Sequence, residues 1–357
     1  MRPNLPFVYM FLLLVGFGTF FSISAVHWLG AWVGLELNLI GFLPILIYQK
    51  SSLETEAAIK YFIVQALGSS LLMAASLLSF NLSLSWEFAF SLIGDPPFAY
   101  IWGFLLLSSL MLKVGAFPFH FWLPSVMVSS SWFPCAILAT WQKLAPLFLF
   151  TIILGSGLVS LFFQLLCLLA VAGAWVGGIG GINQTQVRAI LGYSSISHMG
   201  WMVYGACCNE SLLEFYLMIY ILVTGCVFIA FWHLNLSNMK GTLGLTSNFF
   251  DYLGVFILLL SLGGLPPLLG FIPKLLVIGY CIPLWNFMVV LFLLLGSLIS
   301  LFYYLVLFFA ICLSFFSSKF LYFFLSQATS NFSILGFSIL ANLSGVGAVM
   351  FLNLLSI

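Results

Sequence analysis

A single carboxylate lies in the stretch Gly34-Leu35-Glu36-Leu37-Asn38-Leu39-Ile40-Gly41. The apolar run around it extends over residues 27–48, and about 20 such residues are enough to cross a bilayer as one helix. Glu36 is therefore expected near the middle of the membrane. A charge at that depth costs roughly 3 kcal/mol or more on insertion scales, so it needs a partner or a water-filled cavity.

The composition identifies the class of protein. The chain has 357 residues, of which 64% are hydrophobic and 5% charged, and its mean hydropathy is +1.24. Soluble domains carry about 25% charged residues, so these values indicate an integral membrane protein with several spans. A net charge of +1 leaves no basic surface for nucleic acid. The seven cysteines are scattered without a CxxC pair, and no dinucleotide or phosphate-binding loop motif occurs, so we expect no metal site and no nucleotide cofactor in this chain.

Hydropathy predicts an all-α fold with about eleven transmembrane helices. The predicted spans are 7–25, 27–48, 57–80, 98–117, 133–153, 157–179, 189–207, 211–234, 250–281, 285–313 and 330–356. Segment 118–132 is too interrupted by proline and serine to be a simple span, and the polar residues Lys50, Glu54 and Glu56 are assigned to a loop. A signal peptide is the alternative for the first run, but no clear cleavage site separates it from the next span.

The charges of the predicted loops separate by sign. Alternate loops carry the cations Arg2, Lys50, Arg188, Lys240 and Lys319, whereas the opposite loops carry Glu87, Asp95 and Glu210 without lysine or arginine. The positive-inside rule then places the N-terminus inside and the C-terminus outside.

The spans form two successive groups of five, which predicts domains at 1–153 and 157–313, followed by a C-terminal loop and helix at 314–357. Five is an odd number, so the two units would be inverted relative to each other. The fourth span of each contains a proline interruption, at Gly115-Ala116-Phe117-Pro118 and within Gly263-Gly264-Leu265-Pro266-Pro267. Paired broken helices indicate the ion pathway of an inverted-repeat transporter. The alternative is two independent proline kinks.

Three lysines resemble Glu36 in lying within apolar spans: Lys113, Lys143 and Lys274. Burial disfavours the charged form of a lysine, and a nearby carboxylate favours it. A lysine whose carboxylate partner approaches and retreats would therefore act as a proton switch. We expect a proton relay along the membrane plane through these four groups. The alternatives are a structural ion pair for Glu36 and lysines that extend to the membrane interface.

Three further residues are candidates for the same pathway. His120, beside the first break, could admit protons or only cap a loop. His198, among hydroxyl groups in the seventh span, could belong to a polar wire or only bridge helices by hydrogen bonds. Lys60 lies at the start of the predicted third span, where extension to the interface is the favoured explanation.

Several stretches resemble the subunit 2 family of mitochondrial NADH dehydrogenase, or respiratory complex I, which is one of three antiporter-like subunits. These are Trp32-Val33-Gly34-Leu35-Glu36-Leu37-Asn38, Lys60-Tyr61-Phe62-Ile63-Val64-Gln65, 112–124, Trp141-Gln142-Lys143-Leu144-Ala145-Pro146, 181–201 and 264–274. The resemblance covers roughly residues 30–275, and beyond 285 it rests on the helix pattern alone. It implies that Glu36, Lys113, Lys143 and Lys274 match the family's proton-path residues.

The resemblance also implies a setting. The chain would lie in the mitochondrial inner membrane with the matrix as its inside, next to other complex I membrane subunits, above all the antiporter-like ones, and to phospholipids. NADH, FMN, iron–sulfur clusters and ubiquinone would bind to partner subunits. An animal-type chain is expected, because bacterial relatives carry three additional N-terminal helices.

Three functions are therefore compared. The favoured one is a core membrane subunit of the proton-pumping NADH:ubiquinone oxidoreductase, with no redox centre of its own. The alternative is a subunit of a multi-subunit cation/proton antiporter, which would not co-purify with NADH dehydrogenase activity. A membrane scaffold with vestigial charges is the third, and it predicts that neutral replacements leave pumping intact.

Overall fold

The fold is taken from a computed structural model, which describes residues 7–88, 96–155, 159–234, 249–281 and 287–319, together with residues 336 and 342. Arg2, Lys240 and Asp95, and all but two residues of the predicted last span, lie outside the described residues. Within the described ranges the chain is helical, with one isolated β-bridge between His27 and Glu87. Contacts divide the chain into a first unit, Met1–Leu169, and a second unit, Ala170–Ile357.

The helices of the first unit are α1 (Val8–Ser24), α2 (Trp28–Leu46), α3 (Ser52–Ser83), α4 (Pro96–Val114), α5 (Trp122–Ser129), α6 (Trp132–Ala139) and α7 (Leu144–Ile153). The unit boundary falls within α8 (Val159–Ile182), and the second unit continues with α9 (Val187–Cys208), α10 (Glu210–Leu234), α11 (Phe249–Gly263), α12 (Phe271–Cys281) and α13 (Phe287–Lys319). Six helical stretches among the described residues are long and apolar enough to cross a membrane. The prediction of an all-helical membrane fold is confirmed at this level.

Glycine brings α1 and α2 into close contact. A Cβ atom on Gly18 would lie 2.7 Å from the Asn38 nitrogen and 2.8 Å from the Gly34 oxygen, so no larger residue fits there. The second unit repeats this contact between α8 and α9, where a Cβ on Gly177 would lie 2.5 Å from the Ser197 nitrogen and 2.7 Å from the Tyr193 oxygen. The first two helices of each unit therefore pack in the same register.

Helix α3 begins about five residues earlier than the sequence indicated. The Ser51 side chain caps it by accepting a hydrogen bond from the Glu54 N–H at 3.2 Å, and the Glu54 carboxylate accepts one from the Gln49 N–H at 2.6 Å. Serine at the cap and an acidic residue in the first turn are both favourable at a helix N-terminus. The assignment of Glu54 and Glu56 to a loop was therefore wrong.

Two chain breaks share one backbone geometry. Gly115 follows α4 with φ +77°, and Gly264 follows α11 with φ +78°. In each case the next residue donates to a carbonyl five positions back, from Ala116 to Met111 at 3.0 Å and from Leu265 to Leu260 at 3.4 Å. This is the left-handed helix cap that glycine favours.

The common geometry gives the register of the two breaks. A Gly-x2-Pro-x5-Pro pattern is present as Gly115, Pro118 and Pro124 in one unit, and again as Gly264, Pro267 and Pro273 in the other. The sequence alone leaves the register open, because either glycine of the Gly263-Gly264 pair could match Gly115, and the structure pairs Gly115 with Gly264.

A third break interrupts the predicted span 133–153. Helix α6 ends at Ala139, a 3₁₀ turn covers Trp141–Lys143, and α7 starts at Leu144. Pro146 has no N–H to donate to the Gln142 carbonyl four residues earlier, so the helical hydrogen-bond pattern is weakened at this point. The stretch Trp132–Ile153 is long and apolar enough to cross a membrane, as predicted, but Lys143 lies at a break in it rather than in the middle of a regular helix.

Candidate functional site

All three candidate lysines are buried, and each lies at a break in a helix. The exposed fractions are 6% for Lys113, 2% for Lys143 and 4% for Lys274. Lys113 is the penultimate residue of α4, Lys143 ends the 3₁₀ turn, and Lys274 is in the first turns of α12. Carbonyl groups at helix ends lack partners within the helix, so each lysine has polar backbone beside it.

Side chains from α3 and α5 complete the break next to Lys113. The Gln65 side-chain amide donates to the Lys113 carbonyl at 3.1 Å, and the Trp122 indole N–H donates to the Leu112 carbonyl at 3.2 Å. Gly68 leaves room for the lysine stem, because a Cβ there would lie 2.9 Å from its Cγ atom. These contacts fix the Lys113 backbone without using its ammonium group.

A small polar cavity lies beside Lys113 in the first unit. Its polar lining residues are Asn38, Tyr61, Gln65, Lys113 and Gln142. The volume is about 10 Å³, close to the minimum for one water molecule. Gln142 donates to Asn38 at 2.9 Å, and the Tyr61 hydroxyl lies 3.4 Å from the Gln142 amide oxygen. A chain of uncharged polar groups therefore connects α2, α3 and the 3₁₀ turn next to the lysine.

Glu36 lies at the edge of this site. Glu36 is partly exposed on α2. On the same face of this helix it lies between Val33 and Ile40, whose exposed fractions are larger, at 39% and 56%. The carboxylate interacts electrostatically with Lys113 and Tyr61, but Glu36 and Lys113, both in the described part of the chain, form no direct ion pair. The arrangement thus has a buried cation and a carboxylate near it without contact.

Lys274 is held inside the second break. Its ammonium donates to the Gly263 carbonyl at 3.0 Å and lies 6.0 Å from the centre of the Trp201 ring, within the range of a cation–π interaction. A Cβ on Gly264 would lie 2.9 Å from the Lys274 nitrogen, so glycine is required there for space as well as for its positive φ. The ammonium group therefore binds a carbonyl that the break leaves without a helical partner.

The secondary candidates occupy different environments. His198 is buried in α9, with Nδ1 2.9 Å from the Tyr216 hydroxyl and its ring 5.4 Å from that of Tyr220. His120 is buried beside the first break, with Nδ1 3.2 Å from the Pro118 carbonyl. Lys60 is exposed and pairs with Glu56 at 2.5 Å, apart from the buried lysines.

Sequence reasoning gave no role to several residues of the site. Gln142 donates a hydrogen bond to Asn38, and Gln65 donates one to the Lys113 carbonyl at the first break. Trp201 faces the Lys274 ammonium. The first three are uncharged polar residues in apolar spans, which is the signal that could have identified them.

Known sequences match most of this chain. Residues 25–302 match the family described as NADH:quinone oxidoreductase/Mrp antiporter, TM. A Locusta migratoria protein named NADH-ubiquinone oxidoreductase chain 2 is 38% identical over 298 residues, which cover 83% of this chain and 82% of that protein. The protein of the same name from Dugong dugon is 42% identical over 280 residues, 75% of each chain.

A solved structure matches the fold over nearly the whole chain. The structure is respiratory complex I from Thermus thermophilus with bound aureothin, and one of its chains superposes with a TM-score of 0.81 and 25% identity. The match covers 97% of this chain and 78% of the other.

Proposed function

This chain belongs to the NADH:quinone oxidoreductase/Mrp antiporter transmembrane family, and from that premise we propose that it is subunit 2 of NADH:ubiquinone oxidoreductase. It is a multi-pass inner-membrane protein of mitochondria that carries protons across that membrane. The observation that supports proton transport most strongly is the burial of three lysines at three helix breaks, one of them near a carboxylate.

The proposed pathway consists of Glu36, Lys113, Lys143 and Lys274. An approaching carboxylate favours the charged form of Lys113, and its retreat releases the proton, because burial otherwise disfavours an ammonium group. The polar cavity beside Lys113 provides a place for one water next to this lysine, in contact with Asn38, Tyr61 and Gln142. His120 and His198 are secondary members of the proposed pathway, and Lys60 is assigned to the surface because it is exposed.

The proposed organisation is eleven transmembrane helices, in inverted units at 1–153 and 157–313 and a C-terminal part at 314–357. Two supports are the repeated α1–α2 packing and the shared geometry of the two breaks. The loop charges favour an N-terminus in the matrix and a C-terminus in the intermembrane space.

Electron transfer is assigned to partner subunits. We place NADH, FMN, iron–sulfur clusters and ubiquinone there. The reason is that this chain belongs to a transmembrane family and its relatives are named as one chain of NADH-ubiquinone oxidoreductase. Among the described residues no group of His, Cys, Asp and Glu is arranged to hold a metal ion.

We propose that another membrane subunit covers the exposed face of α2. Glu36 is flanked on this face by Val33 and Ile40, and direct contact with lipid tails would be costly for a carboxylate. A transmembrane helix of a neighbouring subunit, with a polar group opposite Glu36, would cover it. Phospholipids are the proposed neighbours of the remaining apolar surface.

A cation/proton antiporter subunit is the alternative function, because the family description also includes Mrp antiporters. The two relatives named above are both chains of NADH-ubiquinone oxidoreductase, which favours the first function. Co-purification with NADH dehydrogenase activity distinguishes them.

Glu36→Gln tests the proposed switch at its carboxylate. The change keeps size and polarity but removes the negative charge that acts on Lys113, so we expect coupled NADH oxidation to fall roughly tenfold or more, while assembly is retained. Turnover and complex content are measured in inner membranes. The control is Glu210→Gln, an exposed glutamate at the start of α10. Equal turnover of the two variants would contradict the role of Glu36.

A further inference from the structure

The polar cavity of the first unit has a counterpart position in the second. The α1–α2 contact and the α8–α9 contact are related by a shift of 159 residues, since Gly18 corresponds to Gly177 and Asn38 to Ser197. The same shift relates Tyr61 of α3 to Tyr220 of α10. Tyr61 interacts with Glu36, and Tyr220 interacts with Ser195, which is 159 residues after Glu36.

The corresponding position is more polar in the second unit. Two apolar residues that line the first cavity, Leu35 and Leu39, correspond to Ser194 and His198. All of these residues of the second unit are buried. A buried set of hydroxyl groups and one imidazole therefore replaces the mixed lining of the first unit.

Helix α13 completes this buried set with two adjacent tyrosines. Tyr303 and Tyr304 are each 1% exposed. Tyr303 interacts with Ser197 and Ser300, and Tyr304 with Ser194. In the first unit Gln142 binds Asn38, the counterpart of Ser197, so Tyr303 takes the place of Gln142.

Neither tyrosine hydroxyl makes a hydrogen bond of good geometry within the described part of the chain, although Tyr303 lies close to Ser197 and Ser300, and Tyr304 close to Ser194. The nearby serine hydroxyls do not donate to them, because Ser194 donates to the Leu191 carbonyl and Ser197 to the Ser194 carbonyl, at 2.8 and 2.7 Å. Leaving a buried hydroxyl unpaired costs free energy, so such groups normally bind water. Gly181 makes room for the Tyr303 ring, since a Cβ at this position would lie 2.7 Å from a ring carbon.

We propose that Tyr303 and Tyr304 bind ordered water together with Ser194 and Ser197, and that this hydroxyl path carries protons between α9 and α13 in the second unit. The proposal rests on the proposed proton-carrying function. Each hydroxyl would receive a proton from one neighbour as it donates its own to the next. One O–H bond forms for each that breaks, and no tyrosinate persists.

The proposal assigns a function to a region where the first unit uses an amide and a lysine. Neutral hydroxyls and water carry no charge between transfers, which avoids the cost of a permanent further ammonium group at this depth. His198, hydrogen-bonded to Tyr216, lies one turn from Ser194 on α9 and is the titratable group next to this path.

The test uses the whole complex with Tyr303→Phe, Tyr304→Phe and the double change, and Tyr280→Phe as the control on an exposed tyrosine (52%). The number of protons pumped per electron and the rate of NADH oxidation are measured in proteoliposomes. Density for ordered water between α9 and α13 is measured by high-resolution electron cryo-microscopy. We expect the double variant to lose the ordered water and to show coupled NADH oxidation reduced roughly tenfold. The solvent deuterium isotope effect on this rate is also expected to change. The control variant keeps the water and the rate.

Unchanged pumping in the assembled double variant would overturn the proposal. A purely structural role predicts that outcome, because removing an unpaired buried hydroxyl is neutral or stabilising. Unchanged pumping together with a loss in Lys274→Met would leave the proposed function intact, whereas unchanged pumping in both would contradict the function as well.

Discussion

Replacement of Lys274 by methionine is expected to give an assembled complex that no longer pumps with the full proton-to-electron ratio. Methionine fills a similar volume but carries no proton, so the relay would end before this position. The Gly263 carbonyl would lose the donor that now lies 3.0 Å away. That loss costs about 1–3 kcal/mol, too little to prevent assembly of a protein with many other contacts.

The structure argues against the alternative in which Lys274 reaches the membrane interface. Its ammonium is bound within the break and faces Trp201, and only 4% of the residue is exposed. Proton uptake and release are measured in vesicles that contain the purified complex. Lys50→Met, which removes a lysine charge from an exposed loop position, is the matched control. A normal proton-to-electron ratio in the assembled Lys274→Met complex would contradict a role in the relay, and Lys274 would then have a structural role only.

Gly270→Ala is expected to abolish accumulation of the complex. A Cβ atom at this position would overlap the Ser261 carbonyl oxygen of α11, which is backbone and cannot rotate away. Overpacking a well-ordered interior costs typically about 1–3 kcal/mol and more where backbone must move. Helix α12 would be displaced from α11, and with it the lysine bound to Gly263.

Complex content on native gels measures this effect, with Gly279→Ala as its control. Gly279 lies in α12, the helix that begins directly after Gly270. It is exposed and has open space where its Cβ would be, so alanine is expected to be tolerated there. Normal assembly and pumping of Gly270→Ala would show that the packing of α12 against α11 does not hold the second break together.

The features that could be predicted from the sequence are those that follow from long apolar runs and from the positions of proline. The sequence identified the helical membrane class, the two broken spans and the burial of Lys113, Lys143 and Lys274. It placed the start of α3 too late, since two glutamates suggest a loop although they suit a helix N-terminus. It missed the break at Lys143, because Pro146 acts on a carbonyl four residues away rather than at its own position.

The side-chain partners could not be predicted from the sequence. Gln142 binds Asn38 across 104 positions, and Tyr303 lies beside Ser197. Such pairs depend on how closely helices approach. That approach is set by glycines such as Gly18 and Gly177, whose role is not visible until their neighbours are known.

The most direct test of the central claim is the number of protons moved per electron by purified complexes that differ only at the proposed relay. Glu36→Gln, Lys113→Met and Lys274→Met are compared with Lys50→Met in the same vesicles. The account predicts a lower ratio or a loss of coupled turnover in each relay variant and a normal ratio in the control. A normal ratio and normal turnover in all four assembled complexes would contradict it.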